Sequence, residues 1–369
     1  MKLLEKIFSI KNTLFYNLDI LLMNYRINKE YNFYQVIDFP QVPKLYYNQD
    51  LNECLIDRNI TPEIENFINI IKTIPGFDGT ILYNNLASLR IKVKDITDSQ
   101  KRSRAAAFYL VPKNEINLLR DKNDNSDSNV GVVNHELLHL SSSIYDLNED
   151  NVEYVNVGFY KFCKILNKKN MFKICNGLNE GYTERLNIKY FNNKLHAYVV
   201  ERKISEFLEE IVGETKMHNY YFTCDLEGLV DELSKYDTKE NIFRLLFDID
   251  FIYKYRKNYS SKKIIPSHKL MIETTYRRIS RELLLCYYKK IKFMDIDEED
   301  KVNLINDYFN RMRYNFIIPR IMDEDNSELR ELSRLRELKY NNFCFVGEHD
   351  LEEIIELIED KKGFVYEKK

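Results

Sequence analysis

The sequence predicts a helix-rich α+β protein, and three observations carry that reading. Only 10 Gly and 7 Pro are spread through 369 residues rich in Leu, Ile, Lys and Glu, a composition that favours helices. Apolar residues that alternate, the mark of a half-buried strand, gather ahead of residue 120. Beyond residue 199 the apolar residues recur instead at helical spacing, almost to the end of the chain.

In chain order, Met1 to Tyr25 is apolar in places but interrupted by Lys6, Lys11, Asn12, Asn17 and Asp19. It reads as an amphipathic helix, not as a signal segment or membrane span. Thr61 and Pro62 can cap and open a helix in which Ile64, Phe67, Ile68 and Ile71 share a face, and Pro75-Gly76 stops it. The period then changes. Leu89, Ile91 and Val93 alternate, and Ala107 to Val111 and Ile116 to Leu118 are short apolar runs, so a small sheet is expected. Asp121 to Ser128, rich in Asn, Asp and Ser, breaks it as a loop. Val132, Val133, Leu137, Leu138 and Leu140 place the next segment on a mostly buried helix.

Val155, Val157 and Phe159 alternate again, and Asn167 to Asn170 offers a turn before Met171 to Cys175, which together read as a hairpin. Leu178 to Tyr190 fits a helix. Val199, Ile204, Phe207, Leu208 and Ile211 form one stripe ending at Gly213. Further helices fit Leu226 to Tyr236, Ile242 to Tyr255, His268 to Lys290, Glu298 to Tyr314, Glu328 to Tyr340 and Leu351 to Asp360. These changes divide the chain into an N-terminal, mainly helical region (1–76), a core (77–215) and a helical C-terminal region (216–369).

An apolar share of 44% supports a sizeable core. The net charge of −3, with both signs interspersed, argues against nucleic acid or an anionic membrane as partner. The basic, tyrosine-containing stretch from Tyr253 to Lys263 reads as a solvated loop after a helix. Cys54, Cys163, Cys175, Cys224, Cys286 and Cys344 are scattered with no Cys-x-x-Cys, so reduced, mostly buried thiols are expected. A cytoplasmic location follows by default, and the oligomeric state leaves no signature.

The chemistry gathers at His135-Glu136-Leu137-Leu138-His139 and at Asn179-Glu180-Gly181-Tyr182-Thr183-Glu184. On a helix, residues four apart share a face, so His135 and His139 can present imidazoles to one metal while Glu136 lies beside an open coordination position. With this chain's His and Glu frequencies, such an HExxH pattern arises by chance roughly once in a hundred chains. Catalytic zinc takes three protein ligands, and two histidines with one glutamate is a recurrent set, so Glu180 can be the third. Glu184 falls one turn later on the same face and can accept from the second ring nitrogen of a ligating histidine.

At these residues the chain resembles the gluzincin metallopeptidases, the group that includes thermolysin-like proteases and zinc aminopeptidases. His135, Glu136 and His139 match the group's zinc-binding helix, and Glu180 matches the ligand of its Asn-Glu helix. Glu184 stands where thermolysin-like enzymes carry an aspartate, and Leu178 to Gly181 looks like the Leu-Asn-Glu-Gly run of the aminopeptidases. Ala105 to Val111 and Asn114 to Leu118 look like the strand that borders the cleft. The resemblance covers residues 80 to 215 and implies a zincin-like core of small mixed sheet and active-site helices. Three departures are plain. The His139 to Glu180 separation is longer than in thermolysin, which implies an inserted element. No Gly-x-Met-x-Asn exopeptidase segment is present, and Ser142 and Tyr145 occupy the metzincin glycine and third-histidine places.

The ligand set implies hydrolysis, with Zn2+ lowering the pKa of its water to about 7 and Glu136 taking the proton as that water attacks a carbonyl. Glu136 can then pass the proton to the leaving amine. A developing oxyanion needs a second electrophile, for which Tyr198 is preferred over His218 and Tyr182. The expectation is a zinc-dependent endopeptidase or oligopeptidase acting on a peptide or an unfolded protein segment. A catalytically silent, zincin-like peptide-binding or regulatory protein is the alternative, and a zinc hydrolase of small amides is another.

Overall fold

The computed structural model describes residues 61–97, 106–120, 130–148, 152–166, 171–193, 197–259 and 266–315. Within them the chain is α+β and helix-rich, with one small mixed sheet and one antiparallel sheet. The described residues divide into two compact units, 61–232 and 233–315. Both sheets and every residue of the HExxH motif lie in the first.

Helix α1 (Thr61–Ile71) buries Ile64, Phe67, Ile68 and Ile71 on the expected face. A short helix that the spacing does not announce, α2 (Thr80–Leu86), then leads to the mixed sheet. In that sheet β3 (Glu115–Arg120) is central, parallel to β1 (Arg90–Asp95) and antiparallel to β2 (Ala107–Leu110). Pro112 helps end β2 in a 3-10 turn, and Asn114 closes it in the left-handed region, φ 46°. The alternation over Leu89, Ile91 and Val93 misleads in one respect: Val93 is 49% exposed. As an edge strand β1 has nothing covering most of its residues, and Lys92 and Lys94 reach across to Glu115.

The HExxH helix, α3 (Val130–Leu140), packs on β2 and on α4 (Asn176–Phe191). Val133, Leu137, Leu138 and Leu140 supply its buried face. Its last turn is tied down by Asn85, whose Nδ2 donates to the carbonyls of Leu140 and Ser143 at 2.8 Å each. That bond satisfies a helix-end carbonyl left without an intrahelical partner.

Between α3 and α4 the structure has more than the expected hairpin. β4 (Ser143–Leu147), β5 (Val152–Val157), β6 (Tyr160–Ile165) and β7 (Met171–Ile174) form a four-stranded antiparallel meander in chain order. The alternation through Phe159 runs across a turn, because Gly158 takes φ +51° and reverses the chain there. β4 is hard to read because its apolar residues Tyr145 and Leu147 are 40% and 47% exposed.

Helix α4 is buried nearly all round, and α5 (Val199–Val212) lies against it. Gly181 permits that approach, since a Cβ there would sit 2.3 Å from the Glu201 carbonyl carbon. Helix α6 (Glu214–Phe222) shares Gly213 with the end of α5, a junction the spacing does not announce. Helix α7 (Leu226–Leu233) ends this unit.

In the second unit, α8 (Lys239–Tyr259), α9 (Pro266–Lys292) and α10 (Glu298–Asn315) confirm the helical stripes and lengthen the first two. Tyr253 to Tyr259 is helix and not loop, because the basic residues continue the helical register of α8. The expected N-terminal helix over 1–25, the loop 121–128, the turn 167–170 and the helices 328–340 and 351–360 lie outside the described residues. Cys163, Cys175, Cys224 and Cys286 are buried thiols outside any disulfide, as expected. No helix of the described residues is long and apolar enough to cross a membrane.

Candidate metal centre

Helices α3 and α4 bring His135, His139 and Glu180 together. His135 and His139 point their Nε2 atoms at each other across 3.1 Å. Glu180 Oε2 closes the triangle at 3.4 Å from His135 Nε2 and 3.6 Å from His139 Nε2. Two imidazole nitrogens that close carry facing lone pairs unless a proton or a cation lies between them. Metal bonds of about 2.0–2.1 Å in tetrahedral array put ligand atoms roughly 3.3 Å apart. The observed edges bracket that value. Imidazole nitrogen with one carboxylate is also the donor set of a transition cation and not of calcium or magnesium, which take oxygen ligands. The group can therefore hold a metal ion.

The surroundings reinforce the geometry. Glu184 is buried, and its Oε2 lies 3.2 Å from His135 Nδ1, so it is no surface carboxylate. The Ala197 backbone N–H donates to Glu184 Oε1 at 3.2 Å, and Asn193 Nδ2 reaches the same oxygen at 3.5 Å. These bonds hold the carboxylate against the ring. Burial opposes a charged His135, but bonds to Glu180 and Glu184 and the field of Glu136 outweigh it and raise its pKa to about 10. Burial works against the Glu180 carboxylate as well, and the two imidazoles reverse it, holding the group well below the usual range.

Glu136 follows His135 on α3 and is 7% exposed. Burial pushes its pKa up, against the pull of His135 and His139 and a backbone hydrogen bond from Tyr109 on β2. The expected base thus sits between the metal-ligand helix and the edge of the mixed sheet. Tyr198 stacks on His135, ring centroids 5.9 Å apart and planes 24° apart. It occupies the left-handed region, φ 50°, at the N-terminus of α5.

The two rivals of Tyr198 belong elsewhere. His218 is fully buried, its Nδ1 bonded to the Pro75 carbonyl at 2.7 Å and its ring packed near Tyr182 and Tyr190. Tyr182 packs against Phe159 and Tyr221 in the same aromatic core. Tyr182 turns into the protein because it lies on the face of α4 away from Glu180 and Glu184.

Sequence reasoning passed over Thr183 and Tyr221. Thr183 Oγ1 lies 3.5 Å from His139 Nδ1, beside Asn179 Nδ2 at 3.4 Å, and 2.7 Å from the Tyr221 hydroxyl. Helical spacing points to Thr183, which falls three residues after Glu180 and four after Asn179. Nothing local points to Tyr221, which comes from α6. No protein family, curated protein or solved structure matches the chain.

Proposed function

We propose that this chain is a zinc-dependent metallopeptidase of the gluzincin kind. One observation carries the reading: two histidines and a glutamate converge at tetrahedral spacing while a further acid, Glu136, is buried beside His135 on the histidines' own helix. A purely structural site has no need of that base, which weighs against the silent, peptide-binding alternative. His135, His139 and Glu180 would hold the zinc, with Glu184 and Thr183 behind the two rings. Zinc, when bound, supplies a Lewis acid that makes an attacking water available near neutral pH.

The chain's own residues do the rest. Glu136 takes a proton from the attacking water and delivers it to the leaving amine. Among the described residues β2 ends the order of the mixed sheet, and an extended peptide would add along it, next to the main chain of Tyr109 that faces Glu136. Tyr198, whose ring stacks on His135, is our choice of donor to a developing oxyanion.

The test is hydrolysis of a quenched-fluorescent peptide library by zinc-loaded protein, by the same protein after chelation, and by Glu136→Gln. Cleavage that needs both metal and Glu136 supports the reading. Cleavage that survives chelation or Glu136→Gln, or no cleavage by zinc-loaded protein of any length of peptide, would contradict it.

A further inference from the structure

His139 presents Nε2 to the ligand triangle and Nδ1 to helix α4, and the two neighbours of Nδ1 ask for opposite tautomers. Asn179 Nδ2 is a donor, so a bond from it would need a lone pair on Nδ1. The ring proton would then sit on Nε2 and block it as a ligand. The Asn179 amide is held in that orientation, because its Oδ1 accepts the Phe159 backbone N–H at 3.3 Å.

Thr183 has the complementary inventory. A hydroxyl offers one donor and two lone pairs. Its donor goes to the Asn179 carbonyl at 2.8 Å. The Tyr221 hydroxyl is 2.7 Å away, and with the Thr183 proton committed to Asn179 it is Tyr221 that donates across this pair. Its other acceptor, the Leu138 carbonyl, is more distant at 3.5 Å. The second Thr183 lone pair remains for the Nδ1–H of His139, 3.5 Å away. Thr183 and Tyr221 have no exposed surface, so water does not compete for these atoms. Gly158 gives the cluster its room, since a Cβ there would lie 2.4 Å from both Asn179 Oδ1 and the Tyr221 ring.

We propose that the Tyr221–Thr183 hydroxyl pair is a positioning device that keeps His139 in the Nδ1–H tautomer and leaves its Nε2 bare for the metal. The proposal rests on the metal-site reading and is independent of which bond is cleaved.

The test compares wild type with Thr183→Val, Thr183→Ser and Tyr221→Phe, each checked for folding by circular dichroism. Zinc affinity is read by competition with a chromophoric chelator, and the His139 tautomer by 15N NMR of metal-free protein. Thr183→Val should weaken zinc binding roughly 10–100-fold and populate Nε2–H, Thr183→Ser should restore both, and Tyr221→Phe should fall between. Thr183→Val with wild-type affinity and tautomer overturns the proposal. Equal losses in Thr183→Val and Thr183→Ser also overturn it, because they assign the effect to packing. Should Thr183→Val not fold, Tyr221→Phe and the wild-type tautomer decide: an Nε2–H ring in wild type refutes the device. Wild type that takes up no zinc would sink the metal-site reading instead, and the tautomer would still be read.

Discussion

Glu136 and Glu184 are both buried carboxylates near His135, yet the geometry gives them different work. Glu184 is 3.2 Å from the ring nitrogen that cannot reach the ligand triangle, so its effect passes through His135. Glu184→Ala is therefore expected to weaken zinc binding about 10–100-fold, measured by chelator competition, while the protein stays folded. Glu136 makes no contribution to the triangle. Glu136→Gln is expected to keep the metal and to lower peptide turnover by on the order of 10²–10⁴-fold. A variant that loses metal as readily as Glu180→Ala would place Glu136 among the ligands.

At the scale of the elements, the site depends on how closely α4 can lie against α5. Gly181 sets that distance, with the Glu201 and Arg202 main chain where a side chain would go. Gly181→Ala is expected to cost about 1–3 kcal/mol in urea unfolding, as overpacking does, and to disturb Glu180 on the adjacent position. An unchanged midpoint would mean that the two helices separate freely. The helical half of this arrangement was legible in the sequence: His135 and His139 share a face by spacing alone, and Glu180 and Glu184 repeat the device on the second helix. The sheets were less legible. Val93 alternates correctly but lies on an uncovered edge, and Tyr145 and Leu147 give β4 an exposed apolar side. Phe159 continued an alternation that Gly158 in fact ends. Tyr221 could not be found by any local pattern, because 38 residues separate it from the Thr183 hydroxyl it meets.

At the scale of the whole molecule, the unit over 233–315 carries its own electrostatic feature. Burial and a hydrogen bond to Asp237 push the Glu282 carboxyl up to about 9 from a usual value of 4.5. Between those values the folded chain holds a proton that the unfolded chain releases, so this group lowers stability as pH rises across the window. Glu282→Gln, which keeps a donor for Asp237, is expected to flatten that dependence in urea melts at about pH 5.5 and about pH 8.5. A steeper loss of stability in the variant would contradict the sign.

The central claim concerns the other unit, where two helices and a sheet edge frame a His-His-Glu group that could hold a metal, with the Glu136 carboxyl beside it. The most direct measurement is the metal content of purified protein by elemental analysis, with Glu180→Ala carried through the same chelator wash. About one zinc per chain in wild type, lost from the variant, is the expected result. Wild type that is metal-free and cannot be reconstituted, or a variant that holds zinc as firmly as wild type, would contradict it.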